Sequence, residues 1–83
     1  MTRTETAKAI ERVSQEVCIQ HLGYTPDTWY TGGTSHNDDR LTARVTAEGI
    51  RVSDSGTTEI YDGPRTMKAV REYVADWLSM VWA

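Results

Sequence analysis

Apolar positions along the chain follow three rhythms. In the first segment, Ile10, Val13, Val17 and His21 fall at i, i+3, i+7 and i+11, and Cys18 and Leu22 widen the stripe. That spacing predicts an amphipathic helix over about residues 3–22. Thr2 and Glu5 have the spacing of a capping box, in which each side chain satisfies a free backbone N–H. Gly23 is placed to stop the helix in a left-handed conformation, and Thr25-Pro26-Asp27 imposes extended or turn geometry.

The middle segment changes to a period of two. Thr28-Trp29-Tyr30-Thr31 is expected to form a first strand, followed by a polar loop over residues 32–39. Leu41, Ala43 and Val45 alternate with Thr42, Arg44 and Thr46, as in a half-buried strand. Ala47-Glu48-Gly49 predicts a turn, with Gly49 able to take positive φ. Ile50 and Val52 continue the buried face while Arg51 and Ser53 face water. Asp54-Ser55-Gly56 is a second turn, and residues 57–61 form a third regular strand whose buried face the pattern leaves open. Connections this short make the strands antiparallel.

After Asp62-Gly63-Pro64 the period returns to that of a helix. Met67, Val70, Val74, Trp77 or Leu78, and Val81 mark an amphipathic helix over about residues 65–81, with Pro64 tolerated at its start. The pattern predicts a single α+β domain spanning residues 1–83, in the order α-β-β-β-β-α. A three- to four-stranded antiparallel sheet with one apolar face needs a cover. Two helices on that face supply it, giving two layers.

Composition narrows the function. At 83 residues the chain is too short for a Rossmann domain, a P-loop core or a barrel. No apolar run approaches the roughly 20 residues of a membrane span, and the first residues lack the apolar stretch of a leader. A single cysteine, Cys18, makes no internal disulfide, so a reducing, cytoplasmic setting is expected. The net charge of −3 is uneven. Residues 23–63 hold seven acidic and three basic groups, whereas residues 1–22 are neutral and residues 64–83 carry +1.

That distribution argues against a nucleic-acid partner, which demands clustered Lys and Arg. Arg40, Arg44 and Arg51 are the exception. They can gather on the exposed sheet face, with pairing to Glu48 or Glu59 as the ordinary alternative. Catalysis and metal binding are not expected. Cys18, His21 and His36 with Asp38 and Asp39 match no zinc spacing, and no convergent nucleophile, base and orienting group is present. No cofactor is expected either. Tyrosine and tryptophan suit a protein interface, and the chain has four and three of them with no phenylalanine.

One stretch points further. Ile50-Arg51-Val52-Ser53-Asp54-Ser55-Gly56-Thr57-Thr58, then Tyr61, Tyr73 and Ala75-Asp76-Trp77-Leu78, resemble part of a family of small phage-encoded anti-CRISPR proteins, the acidic inhibitors of type I-F surveillance complexes. The resemblance covers about a third of the chain. It implies a non-enzymatic inhibitor that binds a Cas protein subunit of a type I complex in the bacterial cytoplasm and blocks target-DNA recognition by occlusion. Asp54, Glu59 and Asp76 lie in or beside the matched residues and are the first candidate contacts. Asp38 and Asp39 join them on loop exposure, and Trp29 and Tyr30 as surplus aromatics. This chain departs from the family's pattern by ending at Met80-Val81-Trp82-Ala83, with no long acidic extension of the last helix. The alternative is a small protein-binding adaptor or regulator unrelated to CRISPR, with homodimerisation through Trp82 and the last helix.

Overall fold

A computed structural model describes residues 1–22, 41–54 and 56–81. Their elements run α1 (Arg3–Leu22), β1 (Thr42–Thr46), β2 (Gly49–Ser53), β3 (Thr58–Tyr61) and α2 (Met67–Val81). Among these residues the fold is α+β, with two helices and a three-stranded antiparallel sheet in the order β1-β2-β3. The expected strand at Thr28–Thr31 lies outside the described residues.

The capping box starts α1. Thr2 donates its backbone N–H to Glu5 Oε1 at 3.0 Å, and Glu5 donates its own to Thr2 Oγ1 at 3.1 Å. The Thr2 backbone N–H, and after it the Thr2 hydroxyl, hold the Glu5 carboxyl below its ordinary pKa. The buried stripe of α1 is broader than the apolar pattern. Ile10, Val13 and Cys18 are buried, Val17 is half-buried, and Thr6, Ala7, Ala9 and Ser14 are also enclosed. Each buried hydroxyl is bonded: Thr6 Oγ1 donates to the Thr2 carbonyl at 2.7 Å, and Ser14 Oγ accepts the Leu41 N–H at 2.8 Å. The second bond ties the helix to the entry of β1. A small polar side chain is tolerated inside only when it is satisfied in this way.

The β1–β2 turn is tighter than residues 47–49 suggest. Ala47 and Glu48 alone make it, and Gly49 already pairs with Thr46 at a φ of 138°. A Cβ there would meet Ile60 Cγ2 at 3.1 Å, so glycine serves both the backbone and its neighbour. This turn sets the register Ala43↔Val52, Arg44↔Arg51 and Val45↔Ile50. The pairing of β2 with β3 sets Ile50↔Tyr61, Arg51↔Ile60 and Val52↔Glu59. One sheet face therefore carries Ala43, Val45, Ile50, Val52, Glu59 and Tyr61. The other carries Thr42, Arg44, Arg51, Ser53, Thr58 and Ile60. The open question about β3 is settled by pairing: Tyr61 is buried, while Ile60 faces outward.

Ile50, Val52 and Tyr61 join Leu41 with Val70, Val74, Trp77 and Leu78 of α2 and the stripe of α1 in one core. Fully burying each large aliphatic chain contributes roughly 1.5–3 kcal/mol. Val45 departs from its expected burial, at 39% exposed, because it sits at the turn end of β1. α1 packs on β1, β2 and α2. Across the helix pair, Arg71 reaches Glu16 at 3.3 Å, an exposed bridge of small energetic weight.

Candidate functional site

Asp54 closes the β2–β3 turn. Its Oδ1 accepts the Gly56 and Thr57 N–H groups at 2.9 and 2.7 Å, and its backbone N–H donates to the Thr57 carbonyl at 3.0 Å. An aspartate at the head of such a turn mimics a backbone acceptor, which is why this residue type suits the position. Its second oxygen looks the other way and accepts the Trp77 indole N–H at 2.9 Å. Partial burial pushes the Asp54 carboxyl up, but the bonds from Gly56, Trp77 and Thr57 outweigh it and hold the pKa below its ordinary value.

Two residues into β3, Glu59 projects from the core-side face beside Val52. Its Oε1 accepts the Tyr73 hydroxyl at 2.5 Å. Burial, then this bond and the Glu59 charge, raise the Tyr73 phenol far above the ordinary tyrosine value. Tyr73 stands edge-on to Tyr61, with ring centroids 4.8 Å apart, and to Trp77 at 5.9 Å. Edge-to-face stacking of this kind adds about 0.5–1.5 kcal/mol per pair beyond area burial. Tyr61 donates its hydroxyl to the Pro64 carbonyl, which closes the loop into α2. Burial and the nearby Asp62 raise its pKa as well.

Asp54, Thr57, Glu59, Tyr73, Asp76, Trp77 and Met80 line one groove of about 300 Å3 between the β2–β3 turn, β3 and α2. Three of the seven expected contact residues, Asp54, Glu59 and Asp76, therefore meet at one place, Asp76 from a helix distant in sequence from the other two. The other four, Trp29, Tyr30, Asp38 and Asp39, lie outside the described residues. The roles of Asp54, Glu59 and Asp76 in the groove differ. Asp54 and Glu59 spend oxygens on internal bonds, whereas the exposed Asp76 carboxylate makes no hydrogen bond or ion pair. Tyr73, Trp77 and Met80 give the groove its apolar wall, and Met80 is 75% exposed. Among the described residues no lysine or arginine lines it.

The helical period places Trp77 or Leu78 on the apolar stripe of α2, and Tyr73 and Trp77 enter the sequence reading otherwise only as part of the resembling stretch. That reading missed that both reach back to acidic residues of the sheet. The i, i+4 spacing of Tyr73 and Trp77 was the available signal for their shared face. Among the described residues no three His, Cys, Asp or Glu side chains converge closely enough to hold a metal ion. Cys18 is buried in the core, and His36, Asp38 and Asp39 lie outside the described residues. No described helix is long and apolar enough to cross a membrane. No family model, no curated protein and no solved structure matches the chain.

Proposed function

We propose that this chain is a non-enzymatic inhibitor that binds a basic surface of a type I CRISPR-Cas surveillance complex and occludes target DNA. The observation that carries this reading is the groove. Among the described residues it combines three carboxylates with an aromatic wall and no cation, the complement of a lysine- or arginine-bearing surface. Five of its residues, Asp54, Thr57, Tyr73, Asp76 and Trp77, belong to the stretches that resemble the anti-CRISPR family. Asp76 is the carboxylate available to a partner, and Trp77 and Tyr73 offer faces on which a guanidinium or ammonium packs. With only −3 overall, shape and aromatic contact supply affinity alongside charge. The reading places the protein in the bacterial cytoplasm as a single domain. It adds Thr28–Thr31 as a fourth strand, with both helices forming one layer over the Ile50, Val52 and Tyr61 face.

Co-expression with type I surveillance complexes, followed by pull-down and a DNA-binding assay, tests the reading. Association, loss of DNA binding, and weakening of both in Asp76→Asn support it. Absence of association with every type I complex overturns it. A second reading, self-association as a regulator or adaptor, is favoured by the exposed Met80 at the groove mouth. Light scattering of the parent and Met80→Ser proteins separates the two: a dimer lost in the variant, without Cas association, supports the second.

A further inference from the structure

A different charged feature lies on the outer sheet face, away from the groove. The register sets Arg44 directly opposite Arg51, and two residues along it sets Thr42, Ser53 and Thr58 in one row across the three strands. Both arginines are exposed, and neither makes a hydrogen bond or ion pair. Glu59, one of the acids expected to neutralise them, projects from the other face, opposite Val52. Of the residues the register places on the outer face, none is acidic. Like charges at opposed positions repel and weaken a sheet, so this arrangement disfavours the empty fold. A cavity of about 470 Å3 lies here, lined by the two arginines, the three hydroxyl residues, Ala43 and Glu11.

We propose that this face binds the phosphate monoester group of a small molecule. Guanidinium forks from adjacent strands match the oxygens of one tetrahedral anion, and Thr58 adds a hydroxyl donor, whereas the Thr42 and Ser53 hydroxyls bond each other at 3.1 Å. Two arginines against the single Glu11 carboxylate leave the lining net positive, which favours a phosphate monoester carrying about −1.5 to −2 near neutral pH. A carboxylate offers two oxygens, fewer than two guanidinium forks and a hydroxyl can engage. A nucleic-acid strand needs more cations than two, and it meets Glu11 and a chain of net −3. The cavity has the size of a small-molecule site. This inference is independent of the groove and of any Cas partner.

The test is calorimetric titration of the full chain with inorganic phosphate and with glycerol phosphate, at ionic strength matched with sodium chloride. Amide NMR shifts locate the site. Saturable binding is expected with both compounds, with shifts at Arg44, Arg51 and Thr58. Affinity falls about tenfold in Arg44→Thr and in Arg51→Thr, since each removes a charge-assisted contact. Thermal melting verifies that the variants fold, and Arg51→Lys, which keeps the charge and loses the fork, is a second probe expected to weaken binding. Absence of saturable binding by both phosphates overturns the proposal. So does unchanged affinity in the folded variants. Binding confined to a single-stranded oligonucleotide or to a phosphoserine peptide also overturns it.

Discussion

The groove and the outer sheet face handle charge in opposite ways. In the groove, Asp54 and Glu59 are each bonded by an aromatic side chain of α2, through Trp77 and Tyr73. On the outer face, Arg44 and Arg51 stand side by side with no partner. The first arrangement couples charge to folding, because breaking either bond leaves a partly buried polar group without its partner. The second sets charge against folding. The groove therefore joins sheet to helix at the same place where it offers Asp76 outward, whereas the outer face is a separate surface whose stability rises if its charge is met.

The contrast can be broken most severely at Trp77. Trp77→Ala removes a side chain only 7% exposed and one partner of Asp54, and it is expected to cost about 3–5 kcal/mol in urea denaturation. Trp77→Phe keeps most of the packing and loses the indole bond, so it costs less, about 1–2 kcal/mol. Equal losses in the two variants refute the role given to that bond.

Asp54→Ala comes next. It removes the acceptor for two turn amides and for the indole, and about 1–3 kcal/mol is expected. The lowered Asp54 pKa adds a pH signature. Its contribution is present above the ordinary value of 3.8 and is lost as pH falls through the folded-state value. Asp54→Ala should therefore flatten the acid limb of the stability curve.

Tyr73 predicts the opposite limb. Because its phenol stays protonated in the fold to higher pH than in the unfolded chain, its contribution is full below about pH 10 and is lost as pH rises beyond it. Tyr73→Phe should flatten the alkaline limb relative to the parent, read by denaturant midpoints across that range. An unchanged alkaline limb contradicts the burial and bonding assigned to this hydroxyl.

Arg51→Thr sharpens the comparison from the other side. Removing one of two opposed like charges at a strand position that favours threonine should stabilise the protein by about 0.2–1 kcal/mol in phosphate-free buffer. The smallest effect belongs to Asp76→Asn, expected within about 0.5 kcal/mol of the parent because its carboxylate makes no hydrogen bond or ion pair. A large loss there would place Asp76 in the structure rather than on a surface open to a partner.

Much of the local architecture is legible in the sequence. The Thr2–Glu5 capping box, the stripe of Val70, Val74 and Leu78, and the Asp54 turn are written within a few residues of one another. Short-range hydrogen bonds and a fixed helical or strand period suffice to read them. Asp54, Glu59 and Asp76 were also singled out from the sequence. What joins them was not legible, since the Asp54–Trp77 bond spans 23 positions and the Tyr73–Glu59 bond 14.

Tertiary structure alone decided three further points. The interior admits Thr6 and Ser14 because their hydroxyls find acceptors or donors there, which no apolar pattern records. Tyr61 rather than Ile60 enters the core because pairing with Ile50 puts it on the covered face. Arg44 meets Arg51 because a two-residue turn, not a three-residue one, fixes the register, and a slip of one residue would send every side chain of the strand to the other face. Period and turn chemistry are properties of neighbouring residues. Register and closure depend on distant segments packing together, so the sequence determines the elements and the fold determines which charges they bring face to face.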